Sequence, residues 1–144
     1  MPKIETQMFT FTVPGKPMGK QRPKFARMGN YVKTYTPKET VNYEQWVRFC
    51  FKEAGGKFMD YPYIEVDVDA YFPIPKSFSK KKRQEALDDN IKPTTKPDLD
   101  NILKVVTDAL CGVAFSDDRI ITQVSMYKQY AEEPRVEVTL LYVE

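Results

Sequence analysis

The stretch from Ile64 to Phe72 alternates strictly between apolar and polar residues. Successive side chains of a β-strand point to opposite faces, so this pattern predicts a strand with one buried and one solvated face. The sheet that contains such a strand must have its apolar face covered by another layer. Any fold for this chain must therefore provide a sheet whose inner face packs against helices or a second sheet.

Two segments are predicted to supply covering helices. Apolar residues recur at helical spacing from Leu99 to Leu110, and Gly112 follows as a stop signal. The other helix is predicted from the capping box of Thr36 and Glu39, with Pro37 at the first helical position, to about Ala54. Its apolar positions are Tyr43, Trp46, Val47 and Cys50.

Three further segments alternate as strands do: Phe9–Val13, Ile120–Tyr130 and Arg135–Val143. The last two flank a short turn segment with a proline, so we expect them to form an antiparallel pair. The order of elements favours an α+β fold, with a mixed or mostly antiparallel sheet and helices on one face. The length of 144 residues predicts a single domain over residues 1–144.

Two basic segments are less clearly assigned. Phe25–Tyr35 is predicted to be either a small hairpin or a flexible loop, and Ser77–Leu87 a short basic helix. Residues 10–38 contain seven basic residues and no acid, and residues 76–83 contain five basic residues, although the net charge is only +2. This distribution suits a polyanionic partner, but lysine-rich segments also occur as solvated loops, and both interpretations stay open.

Composition excludes several kinds of chemistry. The chain contains no histidine, so no Ser-His-Asp or Cys-His nucleophile and no His-ligated zinc site can be built within it. Cys50 and Cys111 form no CxxC pair and are expected to be reduced and buried. Because the sequence lacks a signal-peptide pattern and an apolar run of roughly 18 residues, we expect a cytoplasmic protein.

Acidic residues cluster at the start of the predicted helix 99–110. Pro97 favours an extended entry, and residues two apart in an extended segment point the same way, so Asp98 and Asp100 are expected to converge. Carboxylate oxygens are the ligands that Mg²⁺ and Mn²⁺ take in proteins. The pair therefore predicts a divalent-metal site that orients water and stabilises charge on a phosphodiester.

The loop after this helix carries two more acids, Asp117 and Asp118, which are expected to return toward the first pair. Lys104 lies one helical turn beyond Asp100, where it pairs with that carboxylate or contacts a phosphate. Each feature also has an ordinary structural interpretation. The first acids suit a helix start, the Asp100–Lys104–Asp108 spacing suits a surface ion-pair ladder, and the later acids suit a plain loop.

A specific resemblance supports the functional interpretation. One segment of the chain, KPDLDNILKVVTDAL with the SDD that follows it, closely resembles the core motif of RusA-family Holliday junction resolvases. The N-terminal VPGKPMGKQRPKF and the YTPKET segment resemble the phage and prophage branch of that family. The resemblance spans most of the chain.

The resemblance implies a small homodimeric α+β endonuclease that uses Mg²⁺ or Mn²⁺ to make paired nicks across a four-way junction. Carried over by position, Asp98, Asp100 and Asp118 are the catalytic carboxylates, Lys104 is the catalytic lysine, and Asp117 shares the metal role. A basic arm is expected to contact DNA phosphates: Lys16, Lys20, Arg22, Lys24 and Arg27. Lys96, beside the acidic motif, is a separate candidate for such a contact. In some members a basic residue directly precedes the first Asp, whereas here Pro97 intervenes after Lys96.

Several points stay open at the level of sequence. Phe25, Tyr31 and Tyr35 either stack on splayed bases or belong to the core. A nuclease for flaps or forks fits the same residues. So does a non-catalytic protein that binds branched DNA and whose acids are structural, but such a protein would bind junctions in EDTA and never nick them.

Overall fold

The computed structural model of the protein describes residues 6–35 and 37–144. The elements follow one another along the chain as β1 (Thr6–Pro14), β2 (Lys24–Met28), β3 (Tyr31–Tyr35), α1 (Lys38–Glu53), β4 (Tyr63–Pro73), α2 (Lys80–Leu87), α3 (Leu99–Leu110), a 3₁₀ turn (Asp118–Ile120), β5 (Ile121–Ala131) and β6 (Arg135–Val143). Strands β2 and β3 pair only with each other, and the remaining strands form a four-stranded sheet.

The four-stranded sheet is mixed and has the order β1-β6-β4-β5. Strand β6 is antiparallel to both β1 and β4, whereas β4 and β5 are parallel. The expected pairing of β5 with β6 is therefore wrong, because β4 lies between them. Pro73 is opposite Ala131 and Tyr71 is opposite Arg135, so the turn at residues 132–134 crosses the end of β4.

One face of the sheet carries the core. Val66, Val68 and Ala70 of β4 are fully buried, and so are Val138 and Leu140 of β6. Helices α1 and α3 pack on this face, with α1 against β1 and α3 against β5. The opposite face, here called the outer sheet face, exposes large side chains such as Met8 and Tyr127. The α+β class, the mixed sheet and the placement of helices on one face are confirmed.

Helix α1 begins at Lys38, and Pro37 occupies its N-cap position without a side-chain hydrogen bond. The expected capping residue, Thr36, lies outside the described residues. Tyr43, Val47 and Cys50 are buried as expected. Trp46 is instead 39% exposed, and its indole donates a hydrogen bond of 2.8 Å to the carbonyl oxygen of Pro14.

Helix α3 has the predicted bounds, Leu99–Leu110. Ile102, Val106 and Leu110 are fully buried, as are Val105 and Ala109, whereas Leu99 and Leu103 at the edge of the stripe are only partly buried. Cys111 is exposed, which corrects the expectation that both thiols are buried. The reason is positional, because Cys111 follows the last helical residue and its backbone is extended.

The sequence left Phe25–Tyr35 as either a small hairpin or a flexible loop, and the structure shows a hairpin. Strands β2 and β3 form a hairpin with a two-residue turn, and Gly29 adopts the positive φ (63°) that such tight turns require. Phe25 and Tyr31 are exposed on it and are not core residues.

Helix α2 begins at Lys80, later than the expected Ser77, because Ser79 caps it by accepting a hydrogen bond from the Lys82 backbone N–H. Among the described residues, no helix has the length and apolar character to cross a membrane.

Candidate active site beside the third helix

The first acidic pair lies at the beginning of α3. Asp98 is the N-cap residue, with extended backbone (φ −72°, ψ 157°), and its carboxylate makes no capping hydrogen bond. Asp100 is exposed in the first turn. Because the helix begins at Leu99, the extended segment ends at Asp98, so the extended geometry expected to align the two acids does not reach Asp100.

The second acidic pair is brought back toward α3 by a tight loop. Gly112 has a φ of 79°, and its backbone N–H donates a 2.7 Å hydrogen bond to the Phe115 carbonyl oxygen. The chain then enters the 3₁₀ turn, where the Asp117 side chain accepts a hydrogen bond from the Arg119 backbone N–H. The charges of Asp108 and Lys104 both influence the pKa of Asp118. The loop therefore returns to the part of α3 that carries Lys104 and Asp108, and in the described part of the chain its two acids do not form one group with Asp98 and Asp100.

The two acids of this turn contact each other. The interaction between their side chains is the largest influence on both groups: it lowers the pKa of Asp117 and raises the pKa of Asp118. The negative charge of Asp108 adds to the rise at Asp118, and the positive charge of Lys104 opposes it. Asp118 is also exposed, so its carboxylate is accessible from solvent.

A lysine cluster, here the Lys20 cluster, joins three parts of the chain. The Lys20 ammonium lies 2.9 Å from Asp108 Oδ2 on α3 and 3.1 Å from Glu44 Oε1 on α1. Burial lowers the pKa of Lys20, but the hydrogen bonds to Asp108 and Glu44 outweigh it, and the pKa lies above its usual value. Sequence reasoning missed Glu44, because no motif links a position on α1 to Asp108.

Lys104 has a looser environment than Lys20. Its ammonium is 3.9 Å from Asp108 Oδ2, at the limit of an ion pair, and its side chain is 62% exposed. The ammonium therefore stays available to an incoming anion.

The loop between β1 and β2 crosses the start of α3. The backbone N–H of Lys20 donates a 3.0 Å hydrogen bond to the Asn101 carbonyl oxygen. A Cβ placed on Gly19 would lie only 2.7 Å from Pro97 Cβ and 3.0 Å from Asn101 Cβ, so glycine is what permits this approach. The Gln21 backbone N–H donates to Thr40 Oγ1 at 3.2 Å, which ties the loop to α1 as well.

Loop and helix enclose a cleft of about 570 Å³. Its polar lining includes Lys16, Lys20, Arg22, Lys96, Asp98 and Asn101. The fold thus gathers four of the six predicted DNA-binding residues beside the first predicted catalytic acid. The other two, Lys24 and Arg27, lie on the hairpin.

The donor chemistry of these acids fits a hard divalent cation. Mg²⁺ prefers carboxylate oxygens and keeps several waters, so one or two protein carboxylates are sufficient. Asp98 has no capping bond to give up, and Asp117 and Asp118 are neighbouring carboxylates on one turn, where Arg119 Nε lies 3.9 Å from Asp117 Oδ2. Within residues 6–35 and 37–144, however, no three acids or cysteines form a group that could hold a metal together.

Comparison with known proteins identifies the family. The family model described as "Endodeoxyribonuclease RusA" matches residues 14–141, a range that contains every candidate site residue. The uncharacterized protein YqaN of Bacillus subtilis (strain 168) is 36% identical over 132 residues, which cover 90% of this chain and 93% of that protein. The resemblance found in the motifs is therefore confirmed, and the chain belongs to the RusA family of endodeoxyribonucleases.

Proposed function

We propose that this endonuclease resolves four-way (Holliday) DNA junctions by paired symmetric nicks and requires Mg²⁺ or Mn²⁺. Family membership supports a junction-resolving nuclease. The observation that carries the finer proposal is the arrangement along α3. An uncapped Asp98 lies in a basic cleft, and an exposed Lys104 lies on the same helix, with Asp118 close enough for their charges to interact.

The acids would hold the metal. Asp98 and Asp100 offer oxygens at the start of α3, and Asp117 and Asp118 offer oxygens on the 3₁₀ turn. A bound divalent cation supplies Lewis acidity and lowers the pKa of a coordinated water. The Lys104 ammonium is free to donate hydrogen bonds to the oxygen on which charge develops during phosphodiester cleavage.

The basic side chains would hold the DNA backbone without reading its sequence. Lys16, Arg22 and Lys96 line the cleft, where a strand would approach Asp98. Lys24 and Arg27 extend this positive surface onto the hairpin. Lys20 was predicted as a member of the same set, and its ammonium would reach a phosphate only by leaving Asp108 or Glu44.

A homodimer is part of the proposal. Resolving a junction takes two cuts in opposing strands, and a two-fold dimer presents two identical sites with that symmetry. A role in DNA recombination or repair follows from this activity.

The test is a synthetic four-way junction labelled with different dyes on two opposing strands. We expect both strands to be nicked at symmetric positions with Mg²⁺ or Mn²⁺ and neither to be nicked in EDTA. A linear duplex of the same sequence is the control. Equal cutting of that duplex would contradict junction specificity, and tight junction binding with no nicking under any divalent cation would identify a non-catalytic binding protein.

A further inference from the structure

One carboxylate oxygen on α3 has two ammonium groups beside it. Asp108 Oδ2 lies 2.9 Å from Lys20 Nζ and 3.9 Å from Lys104 Nζ. Only 28% of the Asp108 side chain is exposed, so this carboxylate depends on a nearby cation more than a solvated one does. Lys20 makes the hydrogen bond that Asp108 would otherwise draw from Lys104, and repulsion between the two positive charges holds their ammonium groups apart.

Two further contacts keep Lys20 in this place. Its backbone N–H donates a 3.0 Å hydrogen bond to the Asn101 carbonyl oxygen, and its ammonium donates a 3.1 Å hydrogen bond to Glu44 Oε1 on α1. Asn101, Lys104 and Asp108 are three and four residues apart, so they share one face of α3. Lys20 therefore contacts this face on either side of Lys104, through its backbone at Asn101 and its ammonium at Asp108.

The pairing of Asp108 with Lys20 determines how strongly Lys104 is held. A lysine that donates to a substrate phosphate must first leave any carboxylate to which it is bound, and breaking a charge-assisted hydrogen bond opposes that step. Because Asp108 already has its cation, the Lys104 side chain stays 62% exposed and makes no closer ion pair within the described residues. Removing Lys20 would leave Lys104 as the nearest cation to a partly buried carboxylate.

We propose that Lys20 is a positioning residue, which keeps Lys104 free for the phosphate at the cut by occupying Asp108. Lys20 acts through Asp108 and Lys104, and this role replaces the phosphate contact that the sequence predicted for it. Asp108 is the acid that captures Lys104 when Lys20 is absent, whereas Glu44 helps only to hold Lys20 in place. This inference rests on the proposed function, because it takes Lys104 as the donor to the phosphodiester.

The first measurement needs no DNA. Trace acetylation with acetic anhydride, followed by mass spectrometry, compares the reactivity of Lys104 with that of Lys52, an exposed lysine outside the Lys20 cluster. We expect Lys20→Ala to lower the labelling of Lys104 by about 3- to 10-fold, the scale of a newly formed ion pair, because a lysine bound to a carboxylate reacts slowly. Lys20→Ala/Asp108→Asn should restore the labelling, and Lys20→Arg should keep it, since a cation stays beside Asp108.

The second measurement is single-turnover nicking of a four-way junction in Mg²⁺, at a temperature at which circular dichroism shows every variant to be folded. Lys20→Ala should nick about 10-fold more slowly, and Lys20→Ala/Asp108→Asn should regain most of the wild-type rate without regaining stability. A merely structural role for Lys20 would give no such rescue. Glu44→Gln is the matched control, because it removes one carboxylate partner of Lys20 and leaves the pair with Asp108. It should nick the junction and label at Lys104 as the wild type does.

Unchanged labelling of Lys104 in Lys20→Ala would overturn the inference. A double variant that nicks as slowly as Lys20→Ala would also overturn it, because Lys20 would then act directly on the DNA or on the fold. So would loss of nicking in Asp108→Asn alone, which would make Asp108 part of the active site itself. If the labelling follows the expected pattern but the wild type never nicks a junction, the proposed function fails and the competition for Asp108 stands.

Discussion

Lys20, which packs against α3, and Lys104, which lies on it, have different surroundings and should behave differently when they are removed. Lys20 is held by two carboxylates at hydrogen-bond distance and is partly buried. Lys104 is mostly exposed and has one distant partner, Asp108. An ammonium that is already neutralised stabilises structure, whereas one that is solvated and loosely paired is available for substrate.

Replacing Lys104 should therefore affect cleavage and not folding. Lys104→Ala is expected to slow single-turnover junction cleavage by roughly 10²–10³, the scale for losing one donor to developing charge. The melting temperature should barely change, because exposed i,i+4 pairs contribute about 0.3–0.5 kcal/mol. Lys104→Arg should rescue the rate only in part, since a planar fork does not replace a compact charge. Full activity in Lys104→Ala would remove this residue from the catalytic set.

Replacing Lys20 should affect stability first. Lys20→Ala leaves Glu44 and Asp108 as neighbouring, partly buried carboxylates without their shared cation, which should cost about 1–2 kcal/mol. For a domain of this size the melting temperature should fall by about 3–8 °C. Thermal unfolding measured in parallel on Lys104→Ala provides the contrast, and equal melting of the two variants would show that the Lys20 cluster does not stabilise the fold.

For individual residues, the sequence predicted those that belong to one motif and missed the contacts between motifs. Asp98, Asp100 and Lys104 are recognisable because their spacing is local. The link from Lys20 to Glu44 depends on how the N-terminal loop packs across two helices, which no local spacing encodes.

Among the elements, the contact between the β1–β2 loop and α3 forms the cleft. The loop approaches the helix most closely at Gly19, where Pro97 and Asn101 leave no room for a side chain. Both neighbouring atoms are Cβ atoms, so rotating a side chain cannot relieve a clash. The shape of the cleft beside Asp98 therefore depends on a glycine at this position.

Gly19→Ala should displace the loop from α3. Overpacking of this kind costs about 1–3 kcal/mol, which urea denaturation would detect. Junction binding should weaken as well, because Lys16 and Arg22 lose their place beside Asp98. Wild-type stability together with wild-type binding in this variant would contradict the close approach.

The elements that could be predicted are those whose signals lie within the element itself. The bounds of α3 followed from an apolar stripe and a glycine stop, both of which lie within the element. The partner of β5 did not follow, because alternation determines which face a side chain occupies and not which strand lies alongside. Strand β4 pairs on both sides and separates β5 from β6, although only three residues connect those two strands.

For the whole molecule, basic side chains are concentrated in one region. The cleft and the hairpin carry most of the basic side chains of residues 10–38, whereas the outer sheet face carries Asp67, Asp69 and Glu137 beside a basic residue, Arg135. Burial, together with the charges of Glu137 and Asp67, raises the pKa of Asp69. We expect this distribution to orient the molecule toward DNA with the cleft and hairpin first.

The concentration of basic side chains in the cleft and hairpin predicts that this region determines how strongly DNA binding depends on salt. Arg22→Ala/Lys24→Ala should reduce the slope of log K against log salt by about 1.8, if both side chains contact duplex phosphates at about 0.9 each. Lys52→Ala/Lys57→Ala removes the same charge from an exposed region near the end of α1 and should leave the slope unchanged. A gel-shift titration in which both pairs change the slope equally would mean that binding follows net charge alone.

The proposed activity requires the acids on and beside α3 to take part in DNA cleavage and not merely to stabilise the protein. The most direct measurement compares nicking with binding on one labelled four-way junction, for the wild type, Asp98→Asn and Asp118→Asn in Mg²⁺. We expect both variants to lose nicking while they bind the junction as well as the wild type or more tightly, because each removes a metal ligand and a negative charge near the phosphates. Nicking at the wild-type rate by either variant would contradict the assignment of that aspartate, and if both variants cut normally the active site would have to lie elsewhere in the chain.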